Sequence, residues 1–299
     1  MVDVCVTAPA LARGGDVSGS VVLRPAGAAA NVAVWVREAG AGARVVARRG
    51  TDLAGGLLAA ALAERGVELH TPAVSQPTGA LLVVWEAGER SFVADPGANA
   101  TLGEHDVRAG LAGTDAVFVS GYTLVRQGSR RAGMAAAREG GPHRPTAVDA
   151  SSWPLLTGPA REAVLVAASA AGTLLANATE AAALTGLAEP GQAAGALARR
   201  VAVAVVKLGP GGVLVAAGDR LHALAAVPAQ VVDPTGAGDA LAAGYLVALA
   251  GGADPVEAAR AGVVHAARAV AVEGAWPDLT GGAGGDDEGG GATAPAAPL

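Results

Sequence analysis

The stretch Val231-Val-Asp-Pro-Thr-Gly-Ala-Gly-Asp-Ala-Leu-Ala-Ala-Gly-Tyr245 carries the strongest signal in the chain. A short apolar run ends at Asp233-Pro234, a turn of small residues follows, and an Ala-rich helix then begins. Small residues let the backbone approach an anion closely, and the N–H groups and dipole of a helix start attract negative charge. Asp239, in the first turn, is therefore suited to act as a general base beside a bound phosphoryl group. The alternative interpretation is that Asp233 and Asp239 only cap the helix.

Short β-branched runs alternate with Ala-rich segments of helical length along the rest of the chain. The predicted strands are Val2–Thr7, Arg44–Ala47, Asp115–Ser120, Thr146–Asp149, Thr173–Ala176 and Val201–Leu208. The predicted helices are Ala29–Glu38, Leu53–Arg65, Arg130–Glu139, Arg161–Ala168, Glu180–Thr185, Gln192–Arg199, Gly238–Leu249 and Pro255–Val272. This alternation predicts an α/β fold of three layers, with a mostly parallel sheet between helices. Sheets of this kind bind ligands at the carboxyl ends of their strands.

Two other segments break this rhythm. Gly79–Glu86 and Arg90–Ala94 flank Ala87-Gly88-Glu89 and predict a hairpin, and Val17–Leu23 is a further candidate strand. Together they predict a small β lid over a site, and an ordinary antiparallel sheet edge is the alternative. We expect one domain over residues 1–280, with lid pieces at about 14–26 and 75–97. The Gly/Ala/Pro-rich tail 281–299 is expected to be disordered because it has almost nothing to bury.

Composition excludes several classes of protein. The 299 residues are 52% hydrophobic and 3% aromatic, so Ala, Val and Leu must fill the core. A net charge of −6 gives no basic surface for nucleic acid or an anionic membrane. The single cysteine, Cys5, cannot form an internal disulfide, and neither a signal peptide nor a membrane-spanning stretch is evident. These features indicate a cytoplasmic protein without nucleic-acid or membrane partners.

A second Gly-rich segment, Pro25-Ala-Gly-Ala-Ala-Ala-Asn-Val-Ala33, also precedes a predicted helix. Asn31 lies near its first turn, where the side-chain amide could bind hydroxyl groups. The alternative is that Gly27 caps the helix and Asn31 lies on a polar face.

These segments together resemble the PfkB family of ribokinase-like carbohydrate kinases. That family has an N-terminal Gly-Gly-x-x-x-Asn segment, matched here by Ala26–Asn31, and a C-terminal Asp-Thr-x-Gly-Ala-Gly-Asp segment, matched by Asp233–Asp239. The other similar segments follow in the family's order and are Gly50–Gly55, Thr78-Gly79, Pro96–Asn99, Asn177–Glu180 with Leu184–Gly186, and Lys207–Gly212. The resemblance covers roughly residues 2–276 and implies a ribokinase-like fold.

The resemblance also implies a role for individual residues. Asp239 would be the base, and the backbone of Gly236, Ala237 and Gly238 would form an anion hole for the transferring phosphoryl group. Asn177 and Glu180 would hold Mg²⁺ through water, and a helix-capping pair is the alternative for these two. The nucleotide would contact Gly209, Gly212 and Thr235. The ammonium of Lys207 could contact its phosphates, and a strand-end lysine that faces solvent is the equal alternative. The sugar side would include Gly27, Asn31 and Asp52, although Asp52 could equally be a structural turn residue.

Several positions depart from the family pattern. Ala26 replaces the first glycine of the N-terminal pair, Ala178 replaces an acidic residue common in the magnesium segment, and Lys207 replaces a common threonine. An early aspartate that grips substrate hydroxyls in many members has no clear counterpart. These departures leave the acceptor undetermined, whereas the segment that contains the proposed base is intact.

The resemblance therefore implies an ATP- and Mg²⁺-dependent kinase that phosphorylates a hydroxyl of a small sugar or sugar acid. The alternatives are a nucleoside kinase of the same family, a related vitamin kinase, or a ligand-binding relative without catalysis. A monovalent cation is a further candidate cofactor, and a homodimer through the lid is the candidate assembly.

Overall fold

The computed structural model describes residues 1–86, 89–140 and 144–277. The strands are β1 Val2–Ala8, β2 Ser20–Pro25, β3 Arg44–Val46, β4 Arg49–Gly50, β5 Glu68–His70, β6 Ala73–Val74, β7 Thr78–Glu86, β8 Glu89–Gly97, β9 Val117–Ser120, β10 Thr146–Asp149, β11 Gly172–Asn177, β12 Val203–Lys207, β13 Val213–Ala217 and β14 Arg220–Leu224. The α-helices are α1 Ala28–Glu38, α2 Leu53–Glu64, α3 Glu104–Gly110, α4 Gly121–Val125, α5 Arg130–Gly140, α6 Gly158–Ala171, α7 Ala178–Thr185, α8 Pro190–Ala198, α9 Ala237–Ala250 and α10 Pro255–Ala269. The predicted tail 281–299 and the turn at 87–88 lie outside the described residues.

The central sheet has the strand order β14-β13-β12-β11-β10-β9. Strands β9 to β12 are parallel, and β13 and β14 continue the sheet in antiparallel fashion. Leu174, Ala204 and Val206 face a core shared with α5, α6, α7 and α8, whereas Leu175 and Val205 face α9 and α10. Helices on both faces bury the sheet, which explains its continuous apolar strands and confirms the three-layer prediction.

The smaller sheet has the order β2-β1-β7-β8. The hairpin prediction is confirmed, because β7 and β8 pair antiparallel from Thr78↔Gly97 onward. Our grouping of the first strand and of Arg44–Ala47 with the central sheet was wrong, since β1 pairs with β2 and β7, and β3 pairs with β5 in a separate two-stranded sheet. Its alternation of apolar Val2, Val4 and Val6 with more polar residues is typical of a sheet with one face open to a cavity or solvent.

The predicted helices are all present with shifted ends, but two helices and five strands were not predicted. The missed helices are α3 and α4, and the missed strands are β4, β5, β6, β13 and β14. Most of these are short, and β14 is exposed over four of its five residues, so an apolar pattern could not mark it. No helix in the described part of the chain is long and apolar enough to cross a membrane.

Candidate active site

A cavity of about 1890 Å³ separates the small sheet from the central sheet. Alternate residues of β1, β7 and β8 line one wall, and the segments that follow β9 and β10 line another. The loop before α9 and the first turns of α1 and α9 complete the enclosure. Of the predicted site residues, Gly27, Asn31, Thr235, Gly236 and Asp239 line this cavity.

The start of α9 provides the main acidic group. Gly236 caps this helix with φ +80°, in the left-handed region that glycine adopts without strain. Asp239 lies in the first helical turn and is half-buried. Burial raises the pKa of Asp239 to about 7, with a further increase from Asp149 and opposing effects from Asn31 and Lys207. A carboxyl with this pKa can accept a proton near neutral pH.

Asn31 contacts Asp239 directly, although 208 residues separate them in sequence. Asn31 is buried on α1, and its Nδ2 donates a hydrogen bond of 2.8 Å to Asp239 Oδ2. On the other side of the amide, Trp276 Nε1 donates to Asn31 Oδ1 at 2.8 Å. The close packing of α1 on α9 brings the two predicted glycine-rich segments together.

Lys207 and Asp149 form an ion pair beside this helix start. Lys207 Nζ lies 2.7 Å from Asp149 Oδ2, and both side chains are largely buried, with 15% and 14% exposed. A Cβ added to Gly238 would lie only 3.2 Å from Lys207 Nζ, so the ammonium group packs against the first turn of α9. Although burial opposes its charge, Asp149, Glu180 and Asp239 raise the pKa of Lys207, which keeps it protonated.

Asn177 and Glu180 form a capping box at the start of α7. Glu180 N donates to Asn177 Oδ1, and Asn177 N donates to Glu180 Oε2, each at 2.8 Å. The structural alternative from sequence is therefore present, and it leaves Glu180 Oε1 outside the box. Burial and then Asp149 raise the pKa of Glu180 to about 7.

The carboxyl groups of Asp149 and Glu180 together fit a magnesium–phosphate assembly. A divalent cation would offset the repulsion between Asp149 and Glu180, and hard cations prefer carboxylate oxygens. Within the described ranges, no group of three or more His, Cys, Asp or Glu side chains could hold a metal ion by itself. The residues therefore suit a hydrated ion that is also bound by phosphate oxygens, which is the usual coordination of Mg²⁺.

The remaining nucleotide-side residues belong to two turns. Gly209 and Gly212 lie between β12 and β13, where Leu208 N donates to Gly212 O at 2.8 Å. Gly212 has φ +85°, and an added Cβ would lie 1.9 Å from Leu224 O, so this turn requires glycine. Thr235 donates through N and Oγ1 to Asp233 Oδ1, at 2.9 and 2.6 Å. Neither glycine lines the cavity.

Asp52 lies away from the cavity and has structural partners. Its carboxylate caps α2 through Gly55 N and accepts two hydrogen bonds from Thr78, of 2.8 Å from N and 2.6 Å from Oγ1. These hydrogen bonds lower the pKa of Asp52, and the one from the Thr78 hydroxyl has the largest effect. The geometry favours the structural alternative, in which Asp52 connects α2 to the start of β7.

Replacing Thr78 tests this structural role. Thr78→Val keeps the shape but removes the hydroxyl that donates to Asp52 and accepts from Gly50 N at 2.9 Å. We expect a loss of about 1–3 kcal/mol in the free energy of unfolding, because the buried N–H of Gly50 is left without its acceptor. Urea unfolding measures this, and Thr78→Ser should recover most of it. A free energy of unfolding that is unchanged in Thr78→Val would contradict this structural role.

Sequence reasoning missed four residues at the cavity or beside it. These are Asp3, Tyr122, Asp149 and Trp276. Asp149 is the last residue of the predicted strand Thr146–Asp149, so its position at the carboxyl end of a parallel strand was a usable signal. Asp3 alternates with apolar residues on β1, and burial raises its pKa to about 6. Trp276 had no local signal, because its role depends on a partner 245 residues away.

Gly236→Ala is expected to damage both stability and turnover. An L-residue at φ +80° costs about 1–2 kcal/mol, and the new Cβ would lie 2.8 Å from Ala275 Cα. We expect a lower melting temperature and a fall in turnover of at least about tenfold, since small displacements of a catalytic loop are costly. The matched control is Gly218→Ala, which has φ +58° and no atom within 4 Å of the added Cβ. Equal turnover in the two variants would contradict a special role for the Gly236 turn.

Comparisons with known proteins identify the family and the fold of the chain. Residues 6–280 match the sequence model described as pfkB family carbohydrate kinase, and a search of curated proteins found no match. An adenosine kinase from Sinorhizobium meliloti is similar at 25% identity and TM-score 0.79, over 94% of both chains. A ribokinase from Thermotoga maritima gives the same identity and TM-score, over 92% of this chain and 91% of the other.

A third solved structure is an uncharacterised sugar kinase from Pyrococcus horikoshii in complex with ATP. It shares the fold at TM-score 0.76 and 21% identity, over 92% of each chain. The family match spans nearly the whole chain, so it covers both the central sheet and the cavity wall formed by the small sheet. The chain therefore belongs to the pfkB family of carbohydrate kinases, which are ATP-using phosphotransferases that act on hydroxyl groups.

Proposed function

We propose that this kinase transfers the γ-phosphoryl group of ATP to a hydroxyl of a small sugar or sugar acid. One observation carries the proposal: Asp239 lies in the first turn of α9, directly after the Gly236 turn, and faces the cavity with a pKa of about 7. A proton acceptor and a set of helix-start N–H groups therefore lie together at one place.

Asp239 would accept the proton of the acceptor hydroxyl as its oxygen bonds to the γ-phosphorus. The bond from phosphorus to the β,γ-bridging oxygen breaks in line, and ADP leaves with that electron pair. The backbone of Gly236, Ala237 and Gly238 would hold the phosphoryl oxygens. Ala237 N makes only a long contact of 3.4 Å with Pro234 O, so this donor is available for a stronger bond.

Lys207 would add positive charge on the phosphate side. Its ammonium packs against the first turn of α9 and is held by Asp149, so phosphate oxygens and Asp149 can share it.

Asn177 and Glu180 would hold Mg²⁺ through water, and when bound the ion supplies charge that offsets the phosphate oxygens. Gly209, Gly212 and Thr235 would border the nucleotide, and Gly27 and Asn31 the acceptor. The monovalent cation remains a prediction.

A nucleoside acceptor is the second candidate, favoured by the aromatic residues of the cavity. The chain has only eight aromatic residues, four Trp, two Tyr and two Phe. Five of these line the cavity: Trp85, Phe92, Phe118, Tyr122 and Trp276. Trp85 and Phe92 lie on the small sheet, with 38% and 58% of their surface exposed, where they could stack on a planar base. The similarity to an adenosine kinase supports the same candidate.

The outer face of the small sheet supports the homodimer proposal. The register places Val21, Leu23, Leu82 and Val93 on the face opposite the cavity, and all four are exposed, Val93 at 67%. Contact between two such faces would bury this apolar strip. Light scattering should give twice the chain mass for the wild type, and Val93→Glu should give the single mass.

An assay of ADP release with ATP and Mg²⁺ tests the proposed function. The acceptors are pentoses, hexoses, keto-sugar acids and nucleosides, and Asp239→Asn is the control. Turnover with a sugar or sugar acid that is lost in the control supports the proposal. Turnover with nucleosides alone selects the second candidate. Acceptor-dependent ADP release that is equal in the control would contradict a base role for Asp239.

A further inference from the structure

The segment Glu273–Pro277 lies beside the site and contacts β2, α1, the residue that follows α2, and the loop before α9. Glu273 pairs with Arg24 of β2, and Gly274 N donates to Asp233 Oδ2 at 3.0 Å. Ala275 O accepts from Trp35 Nε1 at 2.9 Å. Pro277 O accepts from Arg65, the residue that follows α2. The segment therefore has a defined position relative to the small sheet, α1, α2 and the loop before α9.

Trp276, within this segment, points its indole N–H at the Asn31 amide. The distance from Trp276 Nε1 to Asn31 Oδ1 is 2.8 Å, and Arg65 lies 5.5 Å from the centre of the indole ring. An indole N–H can only donate, so it requires the oxygen of the amide on its side. The NH₂ end of Asn31 must then face Asp239, to which it donates at 2.8 Å.

The opposite orientation of the amide would be unfavourable for catalysis. A flipped Asn31 would turn Oδ1 toward the Asp239 carboxylate and place two acceptors against each other. In the observed orientation, the donated hydrogen bond stabilises the ionised form of Asp239, which is the form that accepts a proton. The orientation of one amide thus affects the proton affinity of the base.

We infer that Trp276 is a positioning residue, whose indole N–H holds the Asn31 amide in the orientation that donates to Asp239. The inference rests on the proposed function insofar as Asp239 is the base. The other charged or titratable groups that act on Asp239 are Asp149 on β10 and Lys207 on β12, with Tyr122 on α4 nearby. Within the described residues, Trp276 forms no hydrogen bond with any of these three, so its effect should pass through Asn31.

The test is Trp276→Phe, which keeps an aromatic ring and removes the N–H. We expect the pKa of Asp239, followed by carboxyl ¹³C NMR in the ligand-free protein, to rise by roughly 0.5–1 unit, because a lost hydrogen bond is worth about 1 kcal/mol. The acid limb of kcat/KM should move up by the same amount. At pH 6.5, kcat/KM should fall by about three- to eightfold, with little change in the affinity for ATP.

The matched control is Trp35→Phe, which removes an indole hydrogen bond to the same segment but leaves Asn31 untouched. It should lower the melting temperature without moving the pKa of Asp239. If Trp35→Phe moves this pKa as far as Trp276→Phe does, the segment acts only by packing and the inference is wrong. An unchanged pKa in Trp276→Phe overturns it as well.

A double-mutant cycle gives a second, independent check. In an Asn31→Ala background, Trp276→Phe should change neither the pKa of Asp239 nor kcat further, since the amide it orients is gone. Equal effects in both backgrounds would contradict the inference. If Trp276→Phe does not fold, β-(3-benzothienyl)alanine at position 276 removes the N–H with almost no change in shape. Because the NMR titration needs no turnover, failure of the proposed function would leave this result readable.

Discussion

Asp239→Asn is expected to lower kcat by about 10²–10⁴-fold, the usual contribution of a positioned general base. The change keeps the size of the side chain and an oxygen that can still accept from Asn31 Nδ2. Binding of ATP, measured by calorimetry, should change little, because Asp239 faces the acceptor proton in the proposed mechanism. An Asn variant with turnover similar to wild type would remove Asp239 from the base role.

Wild type and Asp239→Asn should also differ in the pH dependence of kcat/KM. The base must be ionised, and burial raises the pKa of Asp239 to about 7. Wild-type kcat/KM should therefore fall about tenfold for each pH unit below 7 and reach a plateau above it. The residual activity of Asp239→Asn should lack this limb. Wild-type activity that stays constant from pH 5 to 8 would contradict a raised pKa for the base.

Stability should respond in the opposite direction to activity. The pKa of Asp239 is about 7 in the folded protein and near 3.8 in the unfolded chain, so the folded state binds the proton more tightly. The contribution of Asp239 to the free energy of unfolding is therefore greatest at low pH and is lost as the pH rises toward 7. Asp239→Asn lacks that loss. Its melting temperature should exceed that of wild type at pH 8, with a smaller difference at pH 5.

Lys207→Met is expected to have the second largest effect. The change leaves Asp149 with no partner for its buried ion pair and leaves Glu180 and Asp239 without the ammonium that lowers their pKa values. Removing one partner of a buried pair costs about 3 kcal/mol in the free energy of unfolding. Turnover should fall by about 10²-fold if Lys207 also stabilises charge on the phosphate. Urea unfolding at pH 8 and initial rates measure the two effects.

Two further variants separate the structural part of this effect from the functional part. Lys207→Met/Asp149→Asn removes both charges of the pair, so it should recover most of the lost stability but not the lost turnover. Lys207→Arg keeps the charge and should retain stability. Lys207 is also the only lysine of the chain, so reductive ¹³C-methylation labels a single side-chain amine. An unchanged resonance on addition of ADP would argue against contact between Lys207 and phosphate.

The layers of the fold were predictable because their cause is local along the chain. Strands β10, β11 and β12 are buried on both faces, so they are continuous apolar runs in the sequence. These runs predicted the strands directly. The first strand was assigned to the wrong sheet, because strand pairing depends on which neighbours pack against it. The strand β14 was missed, since its exposed residues carry no apolar pattern.

In the candidate site, too, local features were predictable from the sequence and contacts between distant residues were not. The turn and helix start at Gly236–Asp239 follow from small residues, a left-handed glycine and an acidic first turn, all within one short segment. The capping box of Asn177 and Glu180 is equally local. Asp52 shows the limit of such reasoning, because its structural partner Thr78 lies 26 residues away and only the structure identified it.

The sequence by itself determined the class of fold, the family and the position of the proposed base, because backbone conformation and apolar periodicity depend on near neighbours. Only the tertiary structure decided the environment of that base. Asn31 donates to Asp239 across 208 residues of sequence, and Trp276 donates to Asn31 across 245. Lys207 at the end of β12 meets Asp149 at the end of β10, with β11 between the two strands. Hydrogen bonds and ion pairs between such residues form only when helices and sheets pack, and packing depends on the whole chain.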